Sequence, residues 1–233
     1  MFALSDMERE ALVLSLQVGA LAVAASLPFG IGMAWLLARV AFPGRGIVNG
    51  LVHLPLVLPP VVVGYLLLVL FGRNGPLGRL LLDWFGVSLI FTWEGAAVAS
   101  AVVAFPLMVR AIRLGLELVD RRLETAARTL GAGRLRVFAT VTLPLTLPGI
   151  LTGCILAFAR SIGEFGATIT FVSNIPGQTQ TLPLALYSAA QTPGGEDAAF
   201  RIVAISVVLA FAALGVSELL ARRVQRRLSG EAA

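Results

Sequence analysis

The sequence predicts an all-α integral membrane protein with five transmembrane helices. Three observations carry that reading. Of 233 residues, 58% are hydrophobic and only 13% are charged, about half the ~25% of an average soluble domain, and the mean hydropathy is +0.90. The apolar residues fall in runs long enough to cross a bilayer, for which ~20 residues suffice. The basic residues collect between those runs, and mostly between alternate ones.

The first span covers about 11–38, with no charge between Glu10 and Arg39. The preceding MFALSDMERE lacks a basic n-region, and the run is too long for a signal-peptide core, so no cleavable leader is expected. The second span covers about 47–71, uncharged between Arg45 and Arg73. The third, about 91–113, becomes uncharged only after Glu94, and the fourth, about 140–162, stays uncharged until Arg160. The fifth, about 201–220, carries Arg201 and Glu218 near its ends. Terminal arginines extend short spans by snorkelling to the interface. Pro28, Pro55, Pro59, Pro60 and Pro106, with Gly30, Gly32 and Gly64, interrupt these runs. Small residues allow close helix approach and prolines free backbone carbonyls, a composition shared by transporters and by ordinary helix packing. No internal repeat of the secondary-transporter kind is present. Residues 165–199 hold no basic residue but several prolines and glycines, and their apolar piece, Leu182–Ala190, is too short to span. It reads as an external segment whose short helix lies on or dips into the bilayer.

Five spans place the termini on opposite sides. With the N-terminus outside, thirteen arginines fall inside and four outside, as the positive-inside rule requires. The RRVQRR group after the fifth span belongs to the inner set.

The residue inventory excludes several chemistries. All 18 basic residues are arginine. Without lysine there is no Walker A loop and no Schiff base. One histidine, His53, and one cysteine, Cys154, make neither a structural zinc site nor an internal disulfide. His53 reads as a packing residue and Cys154 as a small apolar one. The high isoelectric point, about 10.9, does not make a nucleic-acid surface, because the arginines are scattered among apolar runs.

The loop over about 118–137 is the most informative stretch. Asp120 suits an N-cap, and Glu124 falls where the helix dipole favours a negative charge. Leu123, Ala127 and Leu130 form one apolar stripe at i, i+4 and i+7, and Gly131 suits the stop. A second helical piece starts near Arg134 and meets Leu143-Pro144. Such a narrow stripe is satisfied either in a groove on a partner or against anionic headgroups.

Ala126-Ala127, three residues, Gly131, nine residues and then Val141-Thr142-Leu143-Pro144 resembles the EAA loop of ABC importer permeases, E-A-A, three residues, G, nine residues, I-x-L-P. Thr125 stands at the glutamate position, with Glu124 one residue earlier, and Val141 replaces isoleucine. The resemblance extends over nearly the whole chain and is strongest to permease subunits of molybdate importers, through Ala126–Gly133, Thr142–Gly149, Phe158–Gly177 and Gln191–Gly195. Sulfate permeases are similar around Gly163-Glu164, and tungstate is not separable from molybdate.

The resemblance implies a single permease domain over 1–233, with the five-helix core of methionine and molybdate importers, in a bacterial inner membrane with the N-terminus periplasmic and the C-terminus cytoplasmic. It implies a homodimer with two ATPase subunits below and a periplasmic oxyanion-binding protein above. The chain itself would be no enzyme and hold no cofactor; ATP and magnesium would sit on the partner subunit. Glu124, Ala126, Ala127, Gly131, Leu143 and Pro144 would couple to the ATPase. Arg160 and Glu164, four apart on one helical face, read either as part of the anion's route or as an interfacial ion pair orienting a helix. An ion-coupled secondary transporter is the competing reading, but it would carry intramembrane acids, and here only Glu164 and Glu218 lie near span ends. A membrane enzyme or assembly protein using the basic loop as an anchor is the third.

Overall fold

The computed structural model describes residues 4–228, apart from the side chains of 214, 217, 218, 220 and 221–228. The RRVQRR side chains therefore lie outside the described residues. Among the described residues every regular element is helical.

Helix α1 (Asp6–Arg39) starts on a capping box: the Glu8 N–H donates to Ser5 Oγ at 3.3 Å and the Ser5 N–H to Glu8 Oε2 at 2.9 Å. Its 34 residues run about 51 Å, so its ends project beyond the hydrocarbon. The stretch expected as one span at 47–71 is instead two helices, α2 (Arg45–Val57) and α3 (Pro60–Phe71), bent by 114°. The cause is the adjacent pair Pro59-Pro60. Each proline disfavours helical backbone in the residue before it, and Leu58 and Pro59 are accordingly extended, with ψ of 141° and 134°. Single prolines do not have this effect here: the helices continue through Pro28, Pro55, Pro106 and Pro148.

A short helix, α4 (Pro76–Phe85), lies outside the expected spans. Helix α5 (Trp93–Leu118) follows, then α6 (Arg121–Thr129) and α7 (Arg134–Val137). A π-helical turn (Phe138–Thr142) joins α7 to α8 (Leu143–Ile162). The Leu143 N–H reaches back five residues to the Phe138 carbonyl. Pro144 has no N–H to donate and crowds the preceding turn, which the wider π turn accommodates. The fourth span thus belongs to one helical run from Arg134 to Ile162. Helices α9 (Gly166–Val172), α10 (Leu182–Gln191) and α11 (Glu196–Leu228) complete the chain. Helix α1, α5 and the Arg134–Ile162 run are each long and apolar enough to cross a bilayer, and the bent α2–α3 pair is a fourth candidate. Helix α11 holds the stretch expected as the fifth span, so all five expected membrane elements are helical.

Helix α5 is the hub. Met108, Val109 and Ile112 are fully buried against Ala34 and Leu37 of α1 and Ile150 and Ala157 of α8. Its closest neighbour is α8, because Gly115 and Gly149 let the two backbones touch: a Cβ on Gly149 would lie 2.9 Å from the Gly115 Cα. Gly149→Val should force the helices apart and cost about 1–3 kcal/mol, read as a lower melting temperature in detergent. An unchanged melting temperature would show that the contact is dispensable.

At the opposite end, α10 rests on protein. Leu182 and Ala185 are buried with Ala11 of α1 and Ile202 of α11, and the Leu182 N–H donates to Ser15 Oγ at 2.7 Å. The polar residues before it face inward too. Gln180 Nε2 donates to Asn174 Oδ1 at 3.0 Å, Asn174 Nδ2 to Ser188 Oγ at 2.8 Å, and Thr179 is fully buried. A buried Glu8 pairs with Arg201 Nε at 2.9 Å, tying the starts of α1 and α11 together.

Candidate coupling surface

Helix α6 forms as its sequence dictates. Asp120 Oδ1 accepts from the Arg122 N–H at 2.9 Å, capping the start. At the end the Ala132 N–H bonds to the Ala127 carbonyl at 3.1 Å and the Gly131 N–H to the Arg128 carbonyl at 3.0 Å, a Schellman motif. Gly131 closes it at φ +86°, a left-handed conformation that glycine adopts without a Cβ penalty. The leucines of the apolar stripe are left open by the chain, Leu130 89% exposed and Leu123 half exposed, with Ala127 half-buried between them and Ala126 and Gly131 open beside them. Leu118 and Leu135 beside it are equally bare. Arg121, Arg122, Arg128, Arg134 and Arg136 surround the stripe and are exposed. This is an apolar ridge in a basic field, held out from the helical core.

Glu124 behaves differently from its neighbours. Its carboxylate turns inward, 3.2 Å from Arg39 Nη2 at the end of α1, and accepts from Thr142 Oγ1 at 2.9 Å. Arg39 also donates to the Val119 carbonyl at 3.4 Å. One carboxylate therefore fastens α6 to α1 and to the turn that opens α8. Leu143 packs into the core cluster of α1, α5 and α8, while Pro144 is exposed in the first turn of α8. Of the six candidate coupling residues, Ala126 and Gly131 lie open on the ridge and Ala127 is half-buried. Glu124 and Leu143 join that ridge to the bundle. The partners of Glu124 are 85 and 18 residues away, and no local spacing announces them.

Arg160 and Glu164 do meet, at 2.7 Å. Glu164 is only 2% exposed, and its other oxygen accepts from the Ala167 N–H at 2.7 Å. It therefore caps α9 as well as pairing with α8, across the break at Gly163. His53 is satisfied by its own helix, with Nδ1 2.8 Å from the Asn49 carbonyl; a carbonyl only accepts, so Nδ1 carries the proton. It also lines a small cavity of about 320 Å³ with Arg110, Arg113 and Glu117, where Arg113 donates to Asn49 Oδ1 at 3.1 Å. That cationic corner is missed by a reading of His53 as simple packing. Cys154 is partly buried against the core of α5 and α8.

The site is thus a short capped helix whose exposed leucines project from a helical core with one sharply bent element. The chain belongs to the family described as binding-protein-dependent transport system inner membrane component, which matches residues 26–228. It is 63% identical over 224 residues to the molybdenum transport system permease protein ModB of Escherichia coli K12, covering 96% of this chain and 98% of that protein. It is 39% identical over 199 residues to the sulfate transport system permease protein CysT of Salmonella typhimurium, covering 84% and 72%. Among solved structures, an inward-facing MetNI methionine ABC transporter chain shares the fold with a TM-score of 0.69 at 16% identity, over 93% of this chain and 94% of that one. A bacterial alginate ABC importer chain does so with the same TM-score at 19% identity, over 96% and 80%.

Proposed function

We propose that this chain is the membrane subunit of an ATP-driven importer for molybdate, working as a homodimer. ATP is hydrolysed on a separate cassette subunit that receives the α6 ridge, and a periplasmic binding protein delivers the oxyanion at the α10 end. The N-terminus is then outside and the C-terminus inside. The observation that carries the reading is α6 itself: a capped, fully formed helix whose stripe leucines, Leu123 and Leu130, are left exposed by its own chain. Exposed leucines among arginines in water are unfavourable without a partner. The family membership supports the kind of partner, and the 63% identity to a molybdenum permease favours molybdate over sulfate, whose permeases stand at 39%.

The geometry supports a mechanical role for each part. Movement of α6 passes through Glu124 to α1 and the start of α8, and through the Gly115–Gly149 contact to α5. Closure of the ATPase pair thereby becomes relative movement of the spans, exposing the path alternately to the two sides. Arg160 and Glu164 act in this scheme as the joint between α8 and α9, and selectivity among oxyanions resides mainly in the binding protein.

Gly131→Asp tests the docking. Nothing lies within 4 Å of a Cβ at this position, so the chain tolerates the side chain sterically, at about 1–2 kcal/mol for the left-handed backbone. The acid would instead project into the partner. Molybdate uptake into cells that lack their own permease should fall to background while the protein remains inserted. Uptake that survives the change, or that collapses with a proton uncoupler at constant ATP, would favour an ion-coupled carrier instead.

A further inference from the structure

A second cationic site lies beside the ridge, built around the Arg39–Glu124 joint but with arginines that the joint does not use. A cavity of about 600 Å³ opens between the inner half of α1, α6 and the start of the Arg134–Ile162 run, within the size range of small-ligand sites. Arg39, Arg121, Arg128 and Arg134 line it, with Glu124 as its single carboxylate. Glu124 is already engaged by Arg39, and Arg121, Arg128 and Arg134 have no ion-pair partner among the described residues. Arg39 is nine-tenths buried, yet its Nε has no hydrogen-bond partner, an orphaned donor of the kind that marks an absent acceptor. Besides Thr125 and Thr142, the remaining wall is apolar and includes Trp35, 42% exposed, and Phe138.

The depth of the wall decides the occupant. Trp35 precedes Arg39 by one helical turn, about 6 Å along α1, and Ile31 lies a further turn into the apolar span. The cavity therefore runs from headgroup level, where tryptophan concentrates, into hydrocarbon that a soluble subunit does not enter. Guanidinium groups bind phosphate through paired N–H donors, and basic pockets between membrane helices on the cytoplasmic side suit anionic lipid headgroups. We infer that this cavity seats one anionic phospholipid of the cytoplasmic leaflet, its phosphate among Arg39, Arg128 and Arg134 and an acyl chain along Trp35. The lipid then bridges α1 and α6, the elements that Glu124 also joins.

The test uses the complex purified with its partners, delipidated in mild detergent and titrated with phosphatidylglycerol while bound lipid is counted by native mass spectrometry. One tight lipid per permease protomer is expected, with phosphatidylcholine binding far more weakly. Arg128→Ala with Arg134→Ala should weaken the phosphatidylglycerol site roughly thirtyfold. Should that variant fail to insert, Trp35→Ala keeps every charge and should weaken the long-chain lipid but not a short-chain one. Equal affinity in variant and native complex overturns the inference. So does displacement by millimolar inorganic phosphate, which would make this a free-oxyanion site. Unchanged lipid binding with loss of the ATPase subunit would assign the arginines to subunit docking. The inference rests on this end facing the cytoplasm. Labelling of Thr125→Cys in a Cys154→Ala background tests that orientation separately, so its failure is distinguishable from failure of the lipid count.

Discussion

Glu124→Ala should uncouple the transporter: uptake falls more than about tenfold while the ATPase subunits keep hydrolysing ATP. The substitution leaves the Arg39 guanidinium, 10% exposed, with the Val119 carbonyl, 3.4 Å away, as its one acceptor among the described residues. Removing one partner of a buried pair costs about 3–5 kcal/mol, because the other charge stays uncompensated. Arg39 is near the water boundary, so the low end applies, and every 1.4 kcal/mol is still a factor of ten in the population with α6 correctly seated. Thr142 Oγ1 loses its acceptor at the same time. The second arm of the experiment separates charge from geometry. Adding Arg39→Leu to Glu124→Ala removes the stranded charge and should recover most of the melting temperature, giving a coupling term in the double-mutant cycle. Uptake should remain low, since the fastening of α6 is still gone. Glu124→Ala with native uptake would show that α6 is positioned by its caps and the loop alone.

Glu164→Ala should be the most destabilising single change around α9. The carboxylate is 2% exposed and serves two elements at once: Arg160 on α8 at 2.7 Å and the buried Ala167 N–H of α9 at 2.7 Å. A hydrogen bond to a charged acceptor contributes about 1.5–3 kcal/mol, and an unsatisfied buried donor adds a similar penalty. Arg160 is a third exposed and can turn to water, so the loss falls mainly on α9. Melting temperatures should order as native, Glu164→Gln, Glu164→Ala, because glutamine keeps an acceptor for Ala167 and loses only the charge. If glutamine and alanine are equally damaging, the ion pair rather than the cap holds the joint. If neither lowers the melting temperature, the pair belongs to the transport path and uptake becomes the informative readout.

The helical membrane core and the capped helix with its stop at Gly131 were legible in the sequence. Each rests on local physics. A bilayer sets run length, and an N-cap and a left-handed glycine set helix ends. The short helix at Leu182 was legible too, for the same reason. The break at Pro59-Pro60 was written there in principle, since two adjacent prolines impose extended backbone on two successive residues, but a hydropathy run hides it. Helix α4 is too short and too amphipathic to register as a span. What only tertiary structure decided is which distant side chains meet. Nothing within a turn of Glu124 identifies Arg39 or Thr142, nothing near Glu8 identifies Arg201, and nothing near Gly149 identifies Gly115. Helix periodicity specifies which face a residue occupies, whereas the partner of that face depends on how the helices pack after the chain has crossed the membrane several times. In this protein the sequence therefore determined most of the helices and the family of the chain, and packing decided which distant side chains join α6 to α1 and α8.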